Sequence, residues 1–554
     1  MEEHYLEQIT EATSKGDYKN IGRLVRKAKR KGYQTEDLIN ALSAGMIDVS
    51  NKYKNKGMYL DDIIKAAGSF EVGVQSIGIS DEEKEPEKRV VLAVLGGPWT
   101  IGTNIVSANL KANGFQVINA GSDISTEQVI KTISESEARI LASAIYLVQT
   151  TSEIEKLENE LWNKGLRHKM RTILSGPAGS SNIANKYNVD AYVKDVQELI
   201  LKVKQFSEEL KSEMSHYDRV MTSVSHKEPD RVPFMPFAQT FSAKVANIPF
   251  SAYVSKAEKF LEGQLKAYHT FGWDALCFSS DVGMYAESFG AKIDFPFDDV
   301  PRIIDPVLKP GSIYEDYKKL EIPDPMKAGR LTESIKAIEL AKKEVKDEIP
   351  LIGWTEGPFQ GVTLLSGADP MQFFYILDHE DEFKEILDWY ADFEIEVAKS
   401  MHEAGADIIG VGETAAYFMS PTFFKRFCLE PEKKVCQAIH KMKMIPLIHC
   451  CGFVPQNIHF SMETNPGGAI QFDYQVDLKW AKDLIGDTVT IMGNLNYNKL
   501  TYSNPTQVYE DSIKHISEAA QGGGYWLAFG CEIPRDLPLD NMRAIMRATR
   551  SFNN

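Results

Sequence analysis

IPLIHCCG, residues 445–452, is a short apolar run that closes on a His-Cys-Cys-Gly cluster. Runs of this length, bounded by turn residues, read as buried strands of a parallel sheet. Seven more surround it: VPFMPFA (232–238), ALCFSS (275–280), PLIGWTEG (350–357), DIIGVGETA (407–415), GAIQFDY (468–474), VTIMGNL (489–495) and YWLAFGC (525–531). Helical stretches separate most of them. Eight strand–helix units within residues 221–554 predict a (β/α)8 TIM barrel. The long stretch between the second and third strands, 281–349, carries two Pro-rich patches and reads as the main insertion.

Working outward, residues 88–205 alternate in the same sense but form a smaller set. RVVLAVLGG is a strand ending in glycines, TIGTNIVSANLKANG a helix closing on Gly114, and FQVINAG, ILASAIYLV, TILSGPAG and DAYVKD continue the pattern. This is an α/β, doubly wound, Rossmann-like domain. Residues 1–85 show only helical periodicity, as in IGRLVRKAKRKG and LINALSAGMIDVSNKY, and predict an antiparallel helical bundle. The acidic–basic stretch SDEEKEPEKR separates bundle from α/β domain, and a charged connector at 206–220 leads into the barrel.

The chain has 554 residues and a formal net charge of -16 with no long basic run, so nucleic acid and anionic membrane are poor partners. The opening MEEHYLEQIT lacks an apolar segment, and no 18-residue apolar stretch follows; the expectation is a cytoplasmic protein. All six cysteines (277, 428, 436, 450, 451 and 531) lie in the second half. In a reducing compartment such a His-Cys cluster points to metal before disulfides.

Strand alternation puts His449 and Cys451 on one face of IPLIHCCG and Cys450 on the other. Cys451 and Cys531 both sit at strand C-terminal ends, where barrel active sites lie. One histidine and two cysteines are the ligand set of a Zn2+ site that keeps a fourth position open, and such a zinc holds a bound thiol as thiolate. Cys450 reads as packing behind the barrel, and Cys277, Cys428 and Cys436 as structural. Glu356, Glu413 and Asp473 end other strands and are the candidate catalytic groups, for proton handling, a fourth ligand or substrate orientation; a structural hydrogen bond at the barrel mouth competes with each role.

With these residues in place, 215–554 resembles the uroporphyrinogen decarboxylase superfamily, HKEPDRVPFMPF (226–237) being similar to its opening strand. Within it, His449-x-Cys451 with Cys531 in GCEIPRDLPLDNMRAI (530–545) resembles the corrinoid-dependent zinc methyltransferases. These include the methylcobamide:coenzyme M enzymes and the methyltransferase domain of chloromethane dehalogenase. The decarboxylases carry an Arg-rich motif after the first strand. The corresponding AQTFSAKV (238–245) has no arginine, which disfavours porphyrinogen decarboxylation.

The N-terminal half resembles the cobalamin-binding domain of methionine synthase and of methanogen corrinoid proteins. LDDIIKAAGSF, ending at Phe70, is similar to the cap over the upper cobalt face. VLGGPWTIGTNIV aligns Trp99, Thr100, Ile101, Gly102 and Asn104 with the family's cofactor loop, and ASAIYLVQTTSEI and ILSGPAGSS align Ser143, Thr150, Gly176 and Gly179 with its nucleotide-tail cleft. The family's cobalt-ligating histidine is Trp99 here and its supporting aspartate is Gly97. Trp offers no acceptor nitrogen. Three readings follow: base-off cobalamin bound without a protein ligand, a scaffold that has lost the corrinoid, or another ligand in the same cleft; the first is preferred.

The resemblance therefore implies a corrinoid- and zinc-dependent methyltransferase acting between cobalamin and a small substrate, with a zinc-activated thiol as the preferred acceptor. The alternatives are transfer from a small methylated compound to Co(I), as in a dehalogenase or demethylase, and a non-catalytic corrinoid carrier or sensor. Implied partners are the small methyl donor or acceptor, a separate corrinoid or C1-carrier methyltransferase, and a reductive activator. A homodimer is compatible with the barrel family.

Overall fold

Arg89–Leu95 (β1) is apolar after its first residue and buried there on both faces, as at the centre of a covered parallel sheet. Gln116–Ser122 (β2), Ile140–Ile145 (β3), Arg171–Ser175 (β4) and Ala191–Tyr192 (β5) join it in the order β2-β1-β3-β4-β5. Every pairing is parallel. The order reverses at β1, where such sheets open a crevice beyond their strand ends.

The computed structural model describes residues 3–54, 59–79, 83–98, 100–309, 311–367, 378–452 and 454–551. It divides into two units, Met1–Glu213 and Met214–Asn554. In the first, four helices precede the sheet: Glu3–Ser14 (α1), Ile21–Arg30 (α2), Thr35–Lys54 (α3) and Leu60–Ile77 (α4). Their shared core of Ile9, Val25, Leu42 and Phe70 continues onto Ala108 of the helix Ile101–Ala112 (α5). Asn109 of α5 donates to Ser43 at 2.8 Å inside that seam. The stretch read as a connector is mostly helical: Val196–Lys211 and His216–Val224 are helices, and the boundary between the units falls between them.

In the second unit, Leu276–Cys277 (β6) pairs with Leu351–Glu356 (β9). Between them in sequence lie Lys292–Asp294 (β7) and Arg302–Asp305 (β8), an antiparallel hairpin apart from the barrel. Ile408–Gly412 (β10), Ile445–Cys450 (β11), Ala469–Phe472 (β12), Thr490–Met492 (β13) and Tyr525–Trp526 (β14) extend the sheet in the order β14-β13-β12-β11-β10-β9-β6.

VPFMPFA closes the barrel without being a regular strand. Leu527 N–H donates to Pro233 O at 2.9 Å, Met235 N–H to Leu527 O at 2.9 Å, and Asp274 N–H to Phe234 O at 3.0 Å. Pro233 and Pro236 have no N–H to continue either ladder. The insertion read over 281–349 is smaller than that span, because Arg330–Val345 packs on β9 and on the helix Ala257–Phe271 as a barrel helix. Among the described residues no helix is long and apolar enough to cross a membrane.

Candidate active site

β11 carries the His-Cys cluster to the rim of the barrel. Its last residue, Cys450, turns away, is buried, and donates through Sγ to Gln471 O at 3.5 Å. His449 faces inward, with Nδ1 2.8 Å from Gln471 Oε1. Gln471 Nε2 donates to Phe529 O at 2.9 Å, so its oxygen end must accept from His449 Nδ1–H. That tautomer leaves Nε2 as the nitrogen with a free lone pair, the form a metal takes.

His449 Nε2 lies 4.0 Å from Cys531 Sγ, and the donor atoms of His449, Cys451 and Cys531 lie within 4.8 Å of one another. A tetrahedral zinc with bonds of about 2.0–2.3 Å spaces its donors roughly 3.5 Å apart, so a small inward closure suffices. The donor set, its spacing and the freed Nε2 fit zinc.

Neighbouring residues hold the cysteine loop. Thr414 Oγ1 accepts from Cys451 N–H at 3.2 Å and lies 3.4 Å from Cys451 Sγ. Asp473 Oδ2 accepts from Gly452 N–H at 2.8 Å. The Cys531 thiol, followed by His449, holds Cys451 well below the usual thiol range, while the same contact and burial hold Cys531 above it. Cys277, Cys428, Cys436 and Cys450 are fully enclosed, and burial pushes all four thiols up, as for inert packing cysteines.

The three side chains open onto a cavity of ≈ 310 Å³. Glu356, the last residue of β9, lines it beside them. Its Oε1 accepts from Trp354 Nε1 at 3.3 Å. Its Oε2 lies across Gly412, where any Cβ would stand 2.6 Å away. Burial, opposed by that hydrogen bond and reinforced by Cys451 and Asp281, pushes the carboxyl up to about 8.

The other two acid candidates are placed differently. Glu413 is fully buried, and its carboxylate accepts from Phe359 N–H at 2.9 Å and Gln360 N–H at 2.8 Å. It thereby satisfies the orphan donors that open the helix Pro358–Leu365 and does not line the cavity. Asp473 accepts from Gly452, Tyr474 and Tyr497, so it braces the loop behind Cys451 and also stands outside the cavity. Burial pushes it above its ordinary value. Sequence reasoning missed Gln471, although a lone glutamine inside the apolar GAIQFDY was a readable signal. It also missed Thr414, Trp354 and Phe237, which carry no polar pattern of their own.

In the first unit, a cavity of ≈ 160 Å³ opens between β1, β3, α5 and the start of the helix Val196–Lys211. Gly102 and Gly176 line it, and both must be bare: a Cβ would meet Tyr146 Oη at 2.6 Å at the first and Ile145 O at 2.4 Å at the second. Gly179 turns the same loop, its N–H on Gly176 O at 2.9 Å. Thr150 covers Gly96 and donates to Leu147 O at 2.8 Å. Thr100 precedes α5, and Asn104 of α5 donates to Glu71 of α4 at 2.8 Å.

Of the described cofactor candidates only Gly102 and Gly176 line this cavity; Thr100, Asn104, Thr150 and Gly179 lie outside its lining, as do Ser143, Phe70 and Ile101. Ser143 is turned to Ile173 O at 3.3 Å, and Ser175 takes the lining position. Phe70 is buried in the bundle core, and Ile101 is half-buried against it. Trp99 lies outside the described residues. The bare glycine backbone around an apolar floor fits the close approach of a tail group.

A closed (β/α)8 barrel with this cluster at its rim agrees with the family match. Residues 215–552 match Uroporphyrinogen decarboxylase (URO-D), and the chain belongs to that family. Residues 88–200 match the B12 binding domain. The relatives include the methylcobamide:CoM methyltransferase MtbA of Methanosarcina mazei, 25% identical over 351 residues, covering 62% of this chain and 99% of that protein. They also include a uroporphyrinogen decarboxylase of Coxiella burnetii, 24% identical over 357 residues, covering 61% and 95%. A solved methyltransferase from Methanosarcina mazei superposes with a TM-score of 0.56 at 20% identity, covering 62% of this chain and all of that one. Both activities share the barrel at similar identity, so the site residues must choose between them.

Proposed function

We propose that the chain is a corrinoid-dependent methyltransferase whose barrel activates a small thiol at a zinc ion held by His449, Cys451 and Cys531, and whose first unit carries cobalamin. The observation that carries this reading is the convergence of the three donor side chains, with the Nε2 lone pair of His449 freed by Gln471. When bound, zinc supplies a Lewis acid that keeps the substrate sulfur anionic, and the corrinoid supplies the methyl carrier.

The residues of the chain supply the rest. Gln471 fixes the imidazole tautomer. Thr414 steadies Cys451 at backbone and sulfur. Asp473 holds the loop at Gly452. Glu356 faces the same cavity with a carboxyl that titrates near neutrality, suited to taking the thiol proton. Gly102 and Gly176 would meet the corrinoid tail in the first-unit cavity, with Thr100, Asn104, Thr150 and Gly179 on the segments around it. Trp99 stands in the sequence where the resembling family has its cobalt-ligating histidine, so this position would offer the corrinoid no imidazole and a base-off form is the one expected. A small methyl donor or acceptor and a reductive activator are the partners this chemistry requires.

The test is metal analysis and an ultraviolet-visible titration of the full chain with cobalamin. About one zinc per chain, a base-off spectrum and methylation of a thiol are expected. Zinc binding without any corrinoid binding would overturn the fused reading. Release of a halide or alcohol during methyl uptake would instead favour the dehalogenase-type or demethylase-type alternative.

A further inference from the structure

The barrel cavity contains information about the substrate beyond its sulfur. Its lining includes three carboxyl side chains, Asp281, Glu356 and Glu532, and among the described residues no lysine or arginine. The segments outside the described part of the barrel, Pro310, ADPMQFFYIL (368–377), Phe453 and FNN (552–554), contain none either. The cation behind the wall is Arg330, and it is fully engaged. Its Nη1 and Nη2 donate to Asp281 and its Nε to Glu287 at 2.6 Å, with the guanidinium over Phe295.

Zinc with two thiolates and a neutral imidazole is formally uncharged, so it offers no compensating charge to a second anion. Glu532 is held by Thr240 through its N–H at 2.8 Å and its hydroxyl at 2.7 Å. Glu356 is 5% exposed, and its Oε2 has no hydrogen-bond partner among the described residues. Beside it, Phe237 and Trp354 stack with centroids 4.6 Å apart at 9°. A carboxylate oxygen open to the cavity next to aromatic faces suits a cation. A buried anion there would lose its water and gain no donor of opposite charge.

Resting on the methyltransferase reading above, we infer that the thiol methylated in this cavity carries a cationic tail, of the aminothiol class, and that a thiol with an acidic tail is rejected. This separates the chain from the relative above named for CoM, 2-mercaptoethanesulfonate, whose tail is a permanent anion. In the reaction the S–H bond is replaced by S–CH3, and the proton passes on to water, so that Glu356 stays ionised beside the cationic tail. The electron pair of the broken carbon–cobalt bond stays on the donor.

The test uses three thiols of equal length that differ only in the tail: 2-aminoethanethiol, 2-mercaptoethanol and 2-mercaptoethanesulfonate. Binding to the Co2+-substituted full chain is followed by the thiolate-to-cobalt charge-transfer band, and methylation by the zinc form with methylcobalamin as donor. Both are corrected for each thiol's own ionisation. The aminothiol should bind about tenfold or more tighter than the sulfonate, with mercaptoethanol between them. The order should persist in high salt, because a buried charge is screened little.

Glu356→Gln should narrow the amine-to-sulfonate ratio while the metal stays bound. Tightest binding by the sulfonate, or equal binding by all three, would overturn the tail assignment and leave the methyltransferase reading intact. Failure of all three to perturb the Co2+ spectrum would overturn the thiol-activation reading and this inference with it.

Discussion

The two ends of the barrel treat buried carboxylates in opposite ways. Where the strands begin, Asp274 is fully enclosed. Its Oδ1 accepts from His216, Arg219 and Arg231, and its Oδ2 from Arg231 and Phe234 N–H, all at 2.8–2.9 Å. Burial alone would push its carboxyl up; Arg231 and Arg219 override it and hold the group well below the carboxylate range. Where the strands finish, Glu356 is almost as enclosed and has no cation beside it among the described residues, and burial pushes it up to about 8. The side-chain chemistry is shared, and only the partners differ. Compensated charge at one end fixes the fold, and uncompensated charge at the other leaves a group able to move a proton.

Substitutions at the two ends should therefore separate function from stability. Cys451→Ala or Cys531→Ala should remove a ligand and reduce zinc from about one per chain to a trace after gel filtration, with methyl transfer lost and the far-ultraviolet circular dichroism unchanged. Asp274→Ala should do the reverse. It strands Arg231 and weakens the hold on Arg219, at a cost of about 3–5 kcal/mol in denaturant unfolding, while zinc content stays at wild type. Full methyl transfer by either cysteine variant, or loss of zinc in the Asp274 variant at a temperature where it is folded, would erase the distinction.

This division also accounts for what the sequence made legible. His449, Cys451 and Cys531 were readable because alternation and strand-end position are local properties of IPLIHCCG and YWLAFGC, and the structure brings their donor atoms together. Strand lengths were overestimated. ALCFSS contributes only Leu276–Cys277 to the sheet because the chain curls into the rim loop after them. Glu413 looked like Glu356 in sequence, each a glutamate ending an apolar strand. A three-dimensional accident separates them: the helix Pro358–Leu365 begins against Glu413 and needs its carboxylate. Phe70 falls on the inner face of α4, and helical periodicity alone did not decide whether that face met a ligand or the other helices.

Gln471 offers a finer cut within the rim. One amide spans three strand segments: it sits on β12, orients His449 on β11, and holds Phe529, two residues before Cys531. Gln471→Leu should free the imidazole to rotate and lose the Nε2 tautomer preference. Zinc affinity, measured by competition with a chromophoric chelator, should fall about 10–100-fold. The unfolding midpoint of the metal-free protein should move far less than in Asp274→Ala. Unchanged zinc affinity would show that the strands alone set the ligand geometry.

The smallest effect is expected between the two ends, at Glu394 in the helix Glu380–Ala404. This side chain is fully buried, and neither carboxylate oxygen finds a hydrogen-bond partner among the described residues. Burial first, then the neighbouring Glu413, Glu356 and Glu432, hold its carboxyl well above the ordinary range, and Tyr285 and Tyr390 are pushed up in turn. Glu432 is itself held at about 7. A carboxyl whose folded value is raised favours the folded state in acid, and that advantage is lost as pH climbs from the ordinary carboxylate value through the raised one. The unfolded chain releases its proton first, so stability falls with pH across that window. Glu394→Gln removes the titration while keeping the shape. It should raise the unfolding midpoint by about 2–4 °C at pH 8 and by much less at pH 5. An equal gain at both pH values would mean that packing sets the stability of this position, and that the acid cluster behind Glu356 is not coupled to protons.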